Sequence, residues 1–345
     1  MKNFSSFFLS SALLAAVLLM LNPAAAQAKI WRIDNNAGSP GDFTTAQAAH
    51  DAAAVAVNDT LYFNGSGTTY GALHMTKRLY VFGPGFFLTQ NSQTQAAPNH
   101  AYLDQLRVDP GAAGSLITGM TMYRVYLFAS NILFKRNYVA SSNHAVVIGD
   151  NNQLVGSYTP SNVLCVQNYI STTNGYRALW VAGGCSNIIV TNNFIHSNNP
   201  GWQAVYALSS LIFSNNTVYG ILETNSTDVT NTYLYGGSLA GGSNSYHNNI
   251  GNGTQFPAGN GNVQNQPIAD VCVNTGSDDG LYQLKPGSPA IGAGLGGVDI
   301  GMFGGADPYV LSGLPAIPAI WSFSAPSSGS GASGLNVNIK AKSHN

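Results

Sequence analysis

The chain has 345 residues, 45% of them hydrophobic, which is enough to build a core, and only 8% charged, about a third of the roughly 25% usual in soluble domains. Thirteen Lys and Arg against 14 Asp and Glu leave a net charge of −1, so there is neither a basic footprint for nucleic acid nor a polybasic patch for a membrane surface. A long solvent-facing helix needs charge on its outer face, which argues against a helical protein; Asn, Ser, Thr and Gly stand in its place.

Residues 1–28 have the pattern of a secretory signal. Lys2 opens it, 12–21 (ALLAAVLLML) is an apolar run too short to span a bilayer, and Pro23-Ala24-Ala25-Ala26 and Ala26-Gln27-Ala28 offer two small-x-small cleavage sites. The mature protein is expected to be secreted or held at the cell surface, without a membrane span. An exported chain with only Cys165, Cys185 and Cys272 has no disulfide framework, and buried free thiols are the simpler reading.

Residues 42–57 (DFTTAQAAHDAAAVAV) read as a short Ala-rich helix with Thr44 and Gln47 at capping-box spacing, and with Phe43, Ala46, Ala53 and Val57 able to face a core. First strands follow at 59–63 and 79–83. From there the chain repeats itself. The frame NILFKRNYV at 131–139 returns as NVLCVQNYI at 162–170, NIIVTNNFI at 187–195 and SLIFSNNTV at 210–218, with a degraded copy at 243–251. Its seventh position is always Asn: Asn137, Asn168, Asn193, Asn216 and Asn249. Positions two, four and nine are apolar, so alternate side chains of a strand enter one core, and the Asn falls at a corner. A strand, an Asn corner and a second strand, repeated about every 23 residues, describe a coil of a parallel β-helix of nine or ten coils. Stacked corner asparagines would exchange amide hydrogen bonds and serve as scaffold.

On these residues, and on Val190-Thr191-Asn192-Asn193-Phe194-Ile195 in particular, the chain resembles right-handed parallel β-helix proteins of the pectate-lyase-like type over about residues 30–305. The segment Leu284 to Gly304, with Ser288-Pro289-Ala290-Ile291 and Asp299-Ile300-Gly301, is similar to the closing segment of secreted bacterial β-helix proteins. The expected layout is a signal peptide at 1–28, an all-β, right-handed β-helix with a short N-terminal capping helix at 29–305, and a Pro/Ser/Gly-rich tail at 306–345 with a terminal strand near 335–342. The resemblance implies polysaccharide as the ligand class and no particular reaction, because unrelated functions share one fold.

Candidate chemistry is sparse. Glu223, the only Glu, with Arg177 and His196 from preceding coils, is the best catalytic constellation. Glu223 and Asp228 are read as lying in one polar loop. Lys135-Arg136 is read as a solvated pair beside polar rungs. Asp278-Asp279 offers carboxylates for calcium, but a plain turn is the simpler reading, so no cofactor is expected; no His/Cys set has zinc spacing. Parity places Tyr138, Tyr169 and Phe194 outside, where the tail or the insertion loops are expected to cover them, with Ile317, Ile320 and Trp321 as candidates; the alternative is a glycan-binding track. The leading expectation is an extracellular structural or glycan-contacting β-helix whose partner is a polysaccharide or a cell-surface component. The alternative is a polysaccharide lyase or glycoside hydrolase.

Overall fold

The computed structural model describes residues 28–151, 156–329, 331 and 334–344. The signal segment 1–27 lies outside them. Three parallel sheets of ten, eight and eight strands run the length of the molecule. Seven successive coils, from the one opening at Tyr80–Phe82 to the one opening at Asp228–Thr230, each contribute one strand to each sheet in turn, and the coils at the two ends contribute fewer, so the molecule is a parallel β-helix. In the central coils the first sheet is built from Ile132–Lys135, Ser161–Val166, Ser186–Thr191 and Leu211–Ser214. The second takes Tyr138–Ser141, Tyr169–Thr172, Phe194–Ser197 and Thr217–Tyr219, and the third Val146–Ile148, Leu179–Val181, Gln203–Ala207 and Ile221–Asn225. Among the described residues, first-sheet strands from Ile30–Ile33 to Ser245–His247 mark ten coils.

The core follows the period-two pattern. Ile132, Val163, Ile188 and Leu211 stack in register, as do Phe134, Cys165, Val190 and Phe213, and all are buried. Between the first and second sheets the asparagines form the ladder. Asn137 Nδ2 donates to Asn168 Oδ1 at 3.1 Å, Asn168 to Asn193 at 3.0 Å, and Asn193 to Asn216 at 3.1 Å. These side chains are wholly buried, and their amides also reach main-chain carbonyls of the preceding coil, such as Asn193 to Cys165 at 2.8 Å. Buried polar groups persist when satisfied in this way.

Three details differ from the sequence reading. The left-handed corner residue is position six, not the ladder Asn: Arg136, Gln167, Asn192 and Asn215 have φ of 59, 56, 56 and 52°. The 33-residue step from Asn216 to Asn249 contains a whole coil, in which the buried Thr232 takes the ladder position. An uninterrupted coil therefore needs 16 or 17 residues rather than about 23, and larger steps carry insertions. At the N-terminus the helix is shorter, Ala46–Asp51, and Thr45 caps it by accepting the Ala48 N–H at 3.3 Å. Ala52 is extended, so the helical phase ends there; Ala49 and Val55 are buried, whereas Ala53 and Val57 are exposed.

The chain past Gly251 closes the last coil and then runs back along the second sheet. Asn91, in an insertion after the third coil's first strand, donates to Asp279 at 2.9 Å, and Lys135 pairs with Asp307 at 2.6 Å. Arg136 is buried, not solvated: it donates to Gln167 Oε1 at 2.7 Å and to the Leu314 carbonyl at 2.8 Å, pinning the returning chain. The tail ends in an antiparallel pair, Ala319–Ser324 with Asn338–Lys342. Cys165, Cys185 and Cys272 are free and buried.

Candidate functional site

The second-sheet stripe has its own cover. Tyr138, Tyr169 and Phe194 are in register, and their outer faces meet rings from elsewhere in the chain. Phe87 lies 4.9 Å from Tyr138 and 5.2 Å from Tyr169, and Tyr282 lies 4.2 Å from Phe194, with Tyr309 and Met302 in the same cluster. The covering groups are the insertion at 86–95 and the returning chain; Ile317 lies instead beside Leu116 and Leu133 of the first sheet. Phe194 is 1% exposed, which leaves no ring face for a sugar to stack on.

The catalytic candidates are divided between faces. His196 points out of the second sheet, its ring 5.7 Å from Phe194 and 5.1 Å from Tyr219, and burial lowers its pKa. Arg177 and Glu223 share the outer face of the third sheet, on either side of Tyr206. No hydrogen bond or ion pair joins any two of the three among the described residues. Glu223 accepts from Gln203 Nε2 at 3.1 Å, and Asp228 lies in the next first-sheet strand rather than in a loop with Glu223, 3.7 Å from His247. Asp279 is wholly buried and accepts from Asn91, Ser277, Tyr309 and the Ser312 N–H, so protein donors take up its carboxylate. Among the described residues no three of His, Cys, Asp and Glu cluster as metal ligands would.

The third sheet carries the more distinctive surface. One outward position of each strand lies in register with the next, giving the row His74, Arg107, Tyr126, Val147, Trp180, Tyr206 and Glu223, in which Val147 and Trp180 are themselves buried. At about 4.8 Å per coil the row is roughly 29 Å long. Where the turn from the second to the third sheet is minimal it passes through Gly220 or Gly237, whose main chains are stacked so closely that a Cβ on Gly237 would lie 2.3 Å from the Gly220 carbonyl. Other turns bring polar side chains over the row: Tyr123-Arg124, Ser142 to His144, and Thr173 to Arg177.

These turns build one cluster. The Arg177 guanidinium lies 3.9 Å from the Tyr206 ring centroid and 4.8 Å from that of Trp180, and its main-chain N–H donates to His144 Nδ1 at 3.2 Å. The His144 ring is 5.0 Å from Trp180 and 5.1 Å from the exposed Tyr176. Arg124 donates to the Tyr126 hydroxyl at 3.0 Å. Burial, then the charges of Arg177 and Arg124, lower the His144 pKa to about 4, so the imidazole is neutral near pH 7. With Nδ1 accepting a hydrogen bond, the neutral ring carries its proton on Nε2. Neither Arg124 nor Arg177 has a carboxylate partner within 4.0 Å among the described residues. Three buried donors here have no hydrogen-bond partner among the described residues: Arg124 Nε, Arg177 Nε and Trp180 Nε1. Two uncompensated guanidiniums and idle N–H groups on an aromatic floor suit an oxyanion carried by a ring-shaped ligand.

Of this cluster the sequence reading singled out Arg177 alone. The missed residues lie outside the repeat frame, which spans only the first two sheets. A usable signal was the triplet with an aromatic residue between aliphatic ones, Val125-Tyr126-Leu127, Leu179-Trp180-Val181 and Val205-Tyr206-Ala207, 12 residues after Asn168 and 13 after Asn193 in the last two cases. No protein-family model, curated protein or solved structure matches this chain.

Proposed function

We propose that this protein is exported and binds an acidic polysaccharide along the outer face of its third sheet, with a carboxylate seated between Arg124 and Arg177. The observation that carries the reading is the set of unused buried donors, Arg124 Nε, Arg177 Nε and Trp180 Nε1, beside a neutral His144 and without an acid partner. In an almost uncharged chain, two such arginines are costly to hold without a counter-ion. A uronate carboxylate would supply one, while its sugar ring packs on Tyr206 or Tyr176. Glu223, the next outward residue after Tyr206, would repel the anion and mark one end of the cationic stretch.

Binding of polygalacturonate and alginate by calorimetry tests this. Removing one charged hydrogen-bonding partner is worth about 1.5–3 kcal/mol, so Arg177→Ala should weaken binding roughly 10- to 100-fold. Arg177→Lys should recover only part of it, since the planar fork is lost. Unchanged affinity in Arg177→Ala would overturn the reading.

A second reading, elimination at the uronate, has one supporting feature. The Tyr123 hydroxyl is 2.6 Å from Ser142 Oγ, and that bond, with Arg124 nearby, lowers the phenol's pKa. It is the group in this neighbourhood suited to take a proton, since the Nδ1 lone pair of His144 is engaged. Ultraviolet-absorbing unsaturated product that disappears in Tyr123→Phe would establish that activity; binding without product would leave the protein a glycan-contacting module.

A further inference from the structure

The N-terminal edge of the β-helix holds a carboxylate whose arrangement bears on how the chain is processed. Asp59 is 3% exposed, and three donors converge on it. The main-chain N–H of Lys29 reaches Oδ1 at 2.8 Å, while Trp31 Nε1 and the Ala56 N–H reach Oδ2 at 2.7 and 2.8 Å. All three donors are neutral, and no cation lies within ion-pair distance of this buried carboxylate among the described residues. Among the described residues, the one donor to Oδ1 is the nitrogen of the peptide bond between Ala28 and Lys29. That bond directly follows Ala26-Gln27-Ala28, one of two small-x-small sites behind the apolar run.

We propose that the exported chain is cut between Ala28 and Lys29 and that the new α-ammonium of Lys29 forms an ion pair with Asp59. Hydrolysis by a membrane-associated endopeptidase breaks the Ala28 C–N bond; water gives its hydroxyl to the Ala28 carbonyl and a proton to the Lys29 nitrogen, which takes a second proton from solvent. The nitrogen already stands at Asp59, so a neutral hydrogen bond becomes a charge-assisted one without rearrangement. The rest of Lys29 is in place as well. Its carbonyl accepts the Thr60 N–H at 2.8 Å, and its side-chain ammonium lies 3.3 Å from the Trp31 ring centroid. Ala28 and Lys29 are exposed, so a peptidase can reach the bond. Cutting at the other site, after Ala26, would leave Gln27-Ala28 attached and an uncharged amide at Asp59.

The charged groups around the pair are the Lys29 side chain, Lys77, whose ammonium bonds the Val55 carbonyl and acts on Asp59 through space, and Arg78, which bonds Asn58 next to it. These cations oppose the new ammonium, and the contact with Asp59 opposes them in turn. An α-amino group that gains a carboxylate partner titrates above its ordinary value of about 8. Its contribution to stability is therefore present below about pH 8 and is lost as pH rises through the folded value.

N-terminal sequencing of the exported protein should read Lys-Ile-Trp-Arg; a start at Gln27 would overturn the proposal. Thermal melting then tests the ion pair, comparing chains released from a fusion tag to begin at Lys29 or at Gln27. The Lys29 chain should melt several degrees higher at pH 6 and lose that margin by pH 10, and Asp59→Asn should abolish it. Parallel pH profiles for the two chains would overturn the ion pair even if Asp59→Asn fails to fold.

Discussion

Asn193→Ala tests whether the ladder holds the coils together. The Asn193 side chain accepts the Asn168 N–H at 2.8 Å and its amide at 3.0 Å, and donates to the Cys165 and Thr191 carbonyls at 2.8 and 2.9 Å and to Asn216 at 3.1 Å. Truncation leaves at least two buried main-chain groups, the Asn168 N–H and the Cys165 carbonyl, without these partners. At about 1–3 kcal/mol for each orphaned group, the expected loss is about 4 kcal/mol. The ninth coil supplies a control, because Thr232 occupies the ladder position there, buried, with its hydroxyl on the Thr230 carbonyl at 3.0 Å. Asn193→Thr keeps the corresponding bond to Thr191 but still leaves the Asn168 N–H and the Cys165 carbonyl without these partners, so it should cost about 1 kcal/mol less than alanine. Urea denaturation followed by tryptophan fluorescence gives both values. An alanine variant within 1 kcal/mol of the parent, or a threonine variant no better than alanine, would refute a load-sharing ladder.

Other expectations concern the two outer faces and the turns. Tyr138→Ser and Tyr169→Ser should each cost about 2–3 kcal/mol in denaturant titrations, from lost packing under Phe87, and leave polysaccharide binding unchanged; weakened binding at full stability would return the glycan track to the second sheet. His144 is held neutral with a pKa near 4, so its contribution to stability is present above its ordinary value of about 6.5 and is lost as pH falls toward 4. His144→Gln should therefore flatten the decline in melting temperature over that window, and an unchanged slope would contradict the buried neutral imidazole. Gly237→Ala forces a Cβ to 2.3 Å from the Gly220 carbonyl at a φ of 87°, so the ninth coil should exchange its amide protons much faster, while the fifth and sixth coils remain protected.

The architecture was legible because inward positions two, four and nine repeat through four copies, and one buried Asn per coil marks the frame. The ninth coil escaped notice because Thr232 replaces that Asn. Its first-sheet strand, Asp228–Thr230, also carries a single buried aliphatic residue, Val229. The proposed binding face was largely hidden for a different reason. Strands of three residues such as Val125–Leu127 and Leu179–Val181 show only one outward side chain each, so Tyr126 and Trp180 line up with Tyr206 only once coil lengths are known. His144 and Arg124 come from turns, where no periodicity applies. Parity placed Tyr138 and Tyr169 outside their sheet, as they are, but it carries no information on the later chain that folds back over them.

The most direct measurement compares polygalacturonate with the same polymer after reduction of its carboxylates to alcohols, titrated into the parent protein and into an Arg124→Ala/Arg177→Ala variant. The account predicts that the parent binds the acidic polymer, that affinity falls steeply with added salt, and that either reduction of the polymer or loss of the two arginines removes most of it. Equal binding of the acidic and reduced polymers, or undiminished binding by the double variant, would contradict a carboxylate seat on the third sheet.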